Sequence, residues 1–193
     1  MVRDIKNLFP LLPRTKRTTL IVPAQQRISR NMDRPSWNQY FMGLAHYISL
    51  RTHDAETKVG CVIVNDSKHV VSLGYNGFCA GVDDESLPNT RPNKYPFMVH
   101  AEQNAISNLI VRSSKPLVAY ITHMPCHTCA KLLWQNNVRY WFVEENSSAV
   151  SSSEKDKIVF DFLLGNGLGF DTIQTDTQMF DNVRHQLIEN QKA

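Results

Sequence analysis

The chain has 193 residues, of which 42% are hydrophobic, and a formal net charge of +3. This length supports one domain with a sizeable core. Four cysteines without a secretory signal indicate a reducing, cytoplasmic compartment. No apolar run approaches the roughly 18 residues that a membrane-spanning helix needs, and Pro10 and Pro13 interrupt the N-terminal stretch. We therefore predict neither a signal peptide nor a membrane segment.

Charge is distributed unevenly along the chain. Residues 1–34 contain eight Lys or Arg against two Asp, a net charge of +6, whereas the remaining 159 residues have a net charge of −3. A basic segment can bind nucleic acid, but this one lacks the interleaved aromatic residues that stack on bases. We predict that residues 1–34 are a basic N-terminal extension, solvated or in contact with another subunit, and that residues 35–193 form the folded domain.

The first predicted elements of this domain are a helix and a β-hairpin. Ser36 is a typical N-cap, and the apolar residues after it recur at helical spacing and predict one buried face, formed by Trp37, Tyr40, Phe41, Leu44, Ala45 and Ile48. Residues 59–64 are a short apolar run typical of a buried strand, and residues 69–74 predict the returning strand. Residues 75–98 then form a long loop, and long loops inside a compact domain are usually functional.

Helices and strands alternate in the rest of the chain. The predicted elements are a helix over 99–112, a strand over 117–122, a helix over 126–136, a strand over 139–143, a helix over 155–164, a strand over 170–174 and a weak helix from about residue 178. A Ser-rich connection lies at 146–153. This alternation predicts a three-layer α/β fold with a mixed sheet.

Candidate metal ligands lie at the starts of two predicted helices. One imidazole and two thiolates, from His100, Cys126 and Cys129, can hold zinc tetrahedrally and leave its fourth position open, as in catalytic zinc sites. Zinc lowers the pKa of a water molecule at that position. Glu102 lies two residues from His100, where a carboxylate can take up the proton and pass it on.

Other interpretations of these residues stay open at this point. A Cys-x-x-Cys pair can be a redox pair. The three ligands alone would also be enough for a zinc-binding module without catalysis, but Glu102 argues against such a module. A structural zinc site would usually have a fourth Cys or His at close spacing. His123 and His127 are interpreted as incidental, and Cys61 as a small buried hydrophobe.

The same residues carry a family resemblance. His-x-Glu followed by Pro-Cys-x-x-Cys is the pattern of zinc-dependent nucleobase deaminases. From about residue 36 to residue 167, the chain resembles deoxycytidylate (dCMP) deaminases of the cytidine deaminase-like superfamily. Besides the metal motifs, the resemblance rests on residues 36–37, 40–42, 48–49, 51, 58–60, 95–96, 104–106 and 129–131, and on the Gly-Tyr-Asn-Gly element at 74–77.

The resemblance implies a fold and a reaction. The fold is a three-layer α/β/α cytidine deaminase-like arrangement with a central mixed five-stranded sheet. The reaction is the hydrolysis of dCMP to dUMP and ammonia, which supplies dUMP for thymidylate synthesis. Zinc is implied at His100, Cys126 and Cys129, and Glu102 is implied as the proton shuttle that serves N3 of cytosine and the leaving ammonia.

The resemblance also implies contacts with the substrate. Asn76 matches an asparagine that contacts the sugar 3′-hydroxyl, and Ala101 offers its backbone to the cytosine ring. Arg51 and Lys58 are candidates for the 5′-phosphate, because guanidinium and ammonium groups are suitable donors. By residue type alone, Asn76 is better interpreted as a turn residue between Tyr75 and Gly77. Arg51 and Lys58 could equally be ordinary surface cations.

The resemblance also leads to expectations about regulation and specificity. The resemblance implies a homo-oligomer, commonly a hexamer, that is activated by dCTP and inhibited by dTTP. Cys79 replaces a frequent proline, and the segment after Val143 lacks a tyrosine found near the phosphate in some relatives, so the response to 5-modified cytosine stays open. The nearest alternatives are deaminases of cytidine, of dCTP, of modified dCMP or of a nucleic-acid base.

Overall fold

The computed structural model describes residues 35–110, 112–145, 147 and 153–175. The predicted basic extension over 1–34 and the weak helix from residue 178 lie outside these residues. The elements in chain order are α1 (Trp37–Ser49), β1 (Gly60–Val64), β2 (Val70–Tyr75), β3 (Gly77–Phe78), β4 (Met98–Val99), α2 (Ala101–Ser107), β5 (Leu117–Ile121), α3 (His127–Gln135), β6 (Val138–Glu144), α4 (Glu154–Gly165) and β7 (Gly169–Ile173). Among the helices in this part of the chain, none has the length and apolar character to cross a membrane.

Five strands form one mixed sheet in the order β2-β1-β5-β6-β7. The predicted hairpin is confirmed, because β1 and β2 pair antiparallel from Gly60–Tyr75 to Val64–Val70. β1 also pairs antiparallel with β5, whereas β5, β6 and β7 run parallel. Helices α3 and α4 connect the parallel strands, so the chain leaves the carboxyl end of β5 and enters α3 within a few residues.

Helices cover both faces of the sheet. On one face, α1 packs on β1 and β5 through a buried cluster that includes Phe41, Met42, Ala45, Val62 and Tyr120. On the other face, α2, α3 and α4 pack through a second cluster that includes Ala101, Ala105, Ala130, Leu133 and Leu163. The prediction of a three-layer α/β/α fold with a mixed five-stranded sheet is therefore confirmed.

The buried face of α1 differs in part from the predicted one. Trp37 and Tyr40 are 43% and 49% exposed, whereas Phe41, Met42 and Ala45 are buried. The rings of Trp37 and Tyr40 pack on the ring of Phe41, with centroids 5.5 and 5.2 Å away, at the start of the helix. In its first turn, the apolar face of α1 therefore makes aromatic contacts within the helix. From the second turn onward, it packs on the sheet.

The structure also refines three of the predicted elements. Ser36 is the N-cap of α1, as predicted, and its Oγ accepts a hydrogen bond from Gln39 N at 3.2 Å. The helix predicted over 99–112 is shorter, because Asn108 ends α2 and its amide donates to Leu73 O of β2 at 3.0 Å. The predicted loop over 75–98 contains the small sheet β3–β4 and two 3₁₀ turns, Asp84–Ser86 and Tyr95–Phe97.

Candidate active site

Helix α2 lies directly against strand β2. A Cβ atom at Gly74 would lie 2.3 Å from Ala105 N and 2.4 Å from Ala101 O, so only glycine permits this approach. Asn104 Nδ2 donates a hydrogen bond to Tyr75 O at 2.8 Å. The first turn of α2 is therefore held in one position relative to the sheet.

Helix α3 begins with an unusual cap. Cys126 is the N-cap residue, and its side chain makes no capping hydrogen bond to the described residues of the helix. The N–H of His127 instead donates to Asp156 Oδ1 of α4 at 2.6 Å, and His127 Nδ1 donates to the same oxygen at 2.7 Å. Asp156 therefore accepts the first N–H of α3, and Cys129 follows within the first turn.

His100, Cys126 and Cys129 meet where α2 and α3 begin. Their ligand atoms all lie within 4.8 Å of one another, and the sulfurs of Cys126 and Cys129 lie 3.7 and 3.5 Å from His100 Nδ1. One imidazole nitrogen and two thiol sulfurs are the donor set of a tetrahedral zinc site with an open fourth position. The residues therefore fit a zinc ion, and the predicted convergence of the three side chains is present.

The two thiols of this cluster have opposite pKa shifts. A hydrogen bond from Cys129 lowers the pKa of Cys126 to about 3, against burial and with help from His100. The same hydrogen bond, together with burial, raises the pKa of Cys129 well above its ordinary value. The pKa of His100 is raised mainly by its hydrogen bond with Cys126. Both sulfurs would bind zinc as thiolates, because the thiolate is the form that binds a metal.

Glu102 is a buried carboxyl group on the first turn of α2. Its exposed fraction is 3%, and burial raises its pKa to about 7, although the hydrogen bond from its own backbone N–H and the proximity of His100 act in the other direction. A carboxyl group with a pKa near neutrality can both accept and release a proton at neutral pH. This is the property that a proton shuttle requires.

These groups line a cavity of about 210 Å³. Five of the residues singled out from the sequence contribute to its wall: Asn76, His100, Ala101, Glu102 and Cys126. Cys129 is buried beside it. Arg51 and Lys58 are exposed and are not among the lining residues. The remaining lining residues are Asp54, Thr57, Val59, Arg91, Lys94, Tyr95, Met98, His123 and Met124.

Asn76 is buried, and its side-chain amide makes three hydrogen bonds within the protein. Oδ1 accepts a hydrogen bond from Val59 N at 2.8 Å, and Nδ2 donates to Thr57 O at 2.9 Å and to Asp54 Oδ2 at 3.3 Å. Both amide hydrogens are therefore used. One lone pair of Oδ1 remains for a ligand hydroxyl.

The cavity wall also contains a buried ion pair that the sequence analysis missed. Lys94 Nζ lies 2.6 Å from Asp54 Oδ1 and 2.9 Å from Glu56 Oε2, and the side chains of Lys94 and Asp54 are each 2% exposed. Burial opposes the charge on Asp54, but hydrogen bonds from Lys94 and from the N–H groups of Glu56 and Thr57 outweigh it and lower its pKa. Burial also opposes the charge on Lys94, but its hydrogen bonds to the two carboxylates raise its pKa.

Two further lining residues were not predicted. Arg91 Nη2 donates to Thr57 Oγ1, and Arg91 Nε lies 3.8 Å from Glu56 Oε2. His123 was interpreted as incidental, yet it lines the cavity, and burial lowers its pKa. The length of the 75–98 loop was the available signal for Arg91 and Lys94, whereas nothing in the local sequence pointed to Asp54.

Comparison with known protein families assigns the chain. The model of the cytidine and deoxycytidylate deaminase zinc-binding region matches residues 35–145. The chain belongs to this family. It is therefore a zinc-dependent hydrolytic deaminase, and the resemblance to deoxycytidylate deaminases is confirmed.

Individual relatives agree with this assignment. A probable deoxycytidylate deaminase of Caenorhabditis elegans is 35% identical over 160 residues, which cover 81% of this chain and 80% of that protein. The human deoxycytidylate deaminase is 38% identical over 109 residues, which cover 53% of this chain and 61% of the human protein.

Solved structures agree at the level of the fold. The dCMP deaminase of cyanophage S-TIM5 in its apo form has a TM-score of 0.56 at 24% identity, over 72% of this chain and 99% of that one. The complex of the same phage enzyme with dCMP and dUMP has a TM-score of 0.56 at 23% identity, over 72% and 98% of the two chains.

Proposed function

We propose that this deaminase converts dCMP to dUMP and ammonia. The observation that carries the proposal is the cavity in which a His-Cys-Cys cluster that fits zinc lies beside the buried Glu102. Similarity to proteins named as deoxycytidylate deaminases supports dCMP as the substrate. The phage structure with dCMP and dUMP, which shares the fold, is consistent with a nucleotide in this cavity.

The proposed reaction moves two protons through Glu102. His100, Cys126 and Cys129 would hold the zinc ion, which would act as a Lewis acid and lower the pKa of the attacking water. Glu102 accepts a proton from that water and transfers it to N3 of cytosine as the C4–O bond forms. Glu102 then delivers the second proton of the water to the amino group, the C4–N bond breaks, and ammonia leaves. The product is dUMP.

Two lining residues are proposed to orient the nucleoside. The free lone pair of Asn76 Oδ1 accepts a hydrogen bond from the 3′-hydroxyl, while the bonds to its neighbours keep the amide in one orientation. The backbone of Ala101 meets the cytosine ring, because N–H groups in the first turn of a helix have no acceptor within the helix.

The 5′-phosphate needs a cationic side chain whose hydrogen-bond donors are not all engaged within the protein. Lys94 lines the cavity, but two carboxylates already bind its ammonium group. Arg91 uses only part of its five donors, and its side chain is 52% exposed. We therefore propose Arg91 as a phosphate contact, beside Arg51 and Lys58, which were predicted from the sequence and lie outside the lining.

The reaction is tested by measuring ammonia release from dCMP, CMP, dCTP and deoxycytidine with zinc-loaded protein. We expect activity on dCMP, and we expect Glu102→Gln to lower kcat by about 10²- to 10⁴-fold with zinc content unchanged. The exposed Glu85→Gln is the matched control and should keep full activity. Activity on another substrate alone would overturn dCMP, and a full rate in Glu102→Gln would overturn the proton shuttle.

The phosphate contact is tested with three charge-removing variants. Arg91→Gln should raise KM for dCMP at nearly constant kcat and leave the weak reaction with deoxycytidine unchanged, because only dCMP carries the phosphate. The same split in Arg51→Gln or Lys58→Gln, with Arg91→Gln unaffected, would instead support the candidates predicted from the sequence.

Regulation, assembly and location are also proposed. The family resemblance supports a homo-oligomer with dCTP as activator and dTTP as inhibitor. A monomer in sedimentation, or a hyperbolic dCMP saturation curve that neither triphosphate changes, would contradict this. The four free cysteines support a reducing, cytoplasmic location. The match of the family model from residue 35 supports the division between a basic extension and the deaminase domain at residue 34.

A further inference from the structure

Asp156 connects the starts of two helices. Its Oδ1 accepts hydrogen bonds from the backbone N–H and the ring Nδ1 of His127, at 2.6 and 2.7 Å. Its Oδ2 accepts hydrogen bonds from the backbone N–H and the hydroxyl of Ser153, at 2.9 and 2.8 Å. The side chain of Asp156 is 16% exposed. One carboxylate therefore fixes the start of α4 and, through a different residue, the start of α3.

The start of α3 has a particular need for an outside acceptor. The first N–H groups of a helix lack acceptors within the helix, and the side chain of the N-cap residue usually supplies one. Here the N-cap residue is Cys126, whose sulfur belongs to the metal cluster. The oxygen of Asp156, which comes from the neighbouring helix, accepts the first of these N–H groups, that of His127.

The contact also lies inside the metal-binding segment. His127 directly follows Cys126 and precedes Cys129 by two positions. Two hydrogen bonds to one oxygen restrain both the peptide N–H and the ring of His127. This restraint limits how far the segment from Cys126 to Cys129 can rotate away from His100.

We propose that Asp156 is a positioning residue for the zinc site: it accepts the first N–H of α3 and binds the ring of His127, and it thereby holds the two thiolates in the geometry that binds the metal. Outer partners that orient metal ligands typically change metal affinity by 10- to 100-fold when they are removed. The proposal rests on the proposed zinc ligands but not on the identity of the substrate.

The test compares metal affinity in three variants of the full chain. Asp156→Ala should weaken Zn²⁺ binding by about 10- to 100-fold in a competition with a chromophoric chelator. Asp156→Asn should lose less, because an amide oxygen can still accept from the His127 N–H. Ser153→Ala is the matched control: it removes the hydroxyl contact at the start of α4 and leaves His127 bound to Asp156, so its zinc affinity should stay within about twofold of the wild-type value.

A spectroscopic measurement separates positioning from general stability. With Co²⁺ in place of Zn²⁺, the thiolate-to-metal and d–d absorption bands of Asp156→Ala should change in position or intensity, while Ser153→Ala keeps the wild-type spectrum. Equal losses of thermal stability in the two variants, with unchanged affinity and spectrum, would overturn the proposal. Failure of the wild-type chain to bind Zn²⁺ or Co²⁺ would instead overturn the metal site itself.

Discussion

Two parts of the cavity wall use ionisable residues in contrasting ways. The first, which we call the metal wall, consists of His100, Glu102 and Cys126 at the starts of α2 and α3. The second, the ion-pair wall, consists of Asp54 and Lys94. The metal wall combines a buried carboxyl group, whose pKa is about 7, with two of the three residues that fit a zinc ion. In the ion-pair wall, opposite charges satisfy each other.

This contrast separates chemistry from support. A buried charge is costly unless it is paired and hydrogen-bonded, and the 2.6 Å contact between Asp54 and Lys94 provides that pairing. Asp54 also accepts hydrogen bonds from Glu56 N and Thr57 N and from the amide of Asn76. The ion-pair wall therefore joins the loop after α1 to the 75–98 loop. It forms a fixed part of the cavity wall, while the metal wall contains the groups that we propose to be reactive.

The largest expected effect breaks the metal wall. Cys126→Ser removes one of two sulfur ligands, and we expect zinc affinity to fall by more than the roughly 100-fold limit typical of residues that only orient a ligand. Chelator competition measures this affinity. Cys79→Ser is the control, since Cys79 is exposed and lies outside the cavity lining. Retention of wild-type affinity in Cys126→Ser would exclude Cys126 as a ligand.

The next effect breaks the ion-pair wall. Lys94→Met leaves Asp54 buried without its cation, and removal of one partner of a buried ion pair typically lowers the free energy of unfolding by about 3–5 kcal/mol. Urea unfolding measures the loss. Lys115→Met is the matched control, because the pair between Lys115 and Asp66 is exposed and should contribute little. Equal stability of the two variants would show that the buried pair does not support the fold.

The same contrast explains what the sequence could predict. His100, Cys126 and Cys129 belong to short motifs at helix starts, so residue chemistry and the known pattern of zinc-dependent deaminases together predicted that they meet. Asp54 and Lys94 are separated by 40 positions, and their pairing depends on how two loops fold against each other.

Residue type and spacing alone do not reveal the tertiary surroundings of a residue. Arg51 and Lys58 were chosen because their charge suits a phosphate, but charge does not reveal which side of a loop a residue occupies, and both lie outside the cavity lining. His127 is not part of the group of possible metal ligands, as expected, but the sequence did not reveal its contact with Asp156 on α4. Trp37 and Tyr40 matched helical spacing, yet the position of α1 over the sheet leaves them exposed.

The smallest of the three expected effects concerns acid pH. The pKa of Asp54 in the folded chain is below its ordinary value of 3.8: burial acts against this, and the hydrogen bonds from Lys94 and the backbone prevail. Asp54 therefore stabilises the fold fully above pH 3.8, and this contribution is lost as pH falls through the lower, folded-state pKa. In Asp54→Asn the position cannot ionise, so the free energy of unfolding should decrease less steeply below about pH 4 than in the wild-type chain.

Salt distinguishes this buried group from an exposed one. The pKa of Asp66 is also lowered, mainly by its hydrogen bond with Lys115, but that pair lies at the surface. At about 1 M salt the Debye length is only about 3 Å, which screens exposed charges far more than buried ones. The difference in acid stability between wild type and Asp54→Asn should therefore persist in high salt, whereas the difference for Asp66→Asn should shrink. If both differences vanished together, Asp54 would have to be regarded as solvent-accessible, and the ion-pair wall would lose its role as a fixed part of the cavity wall.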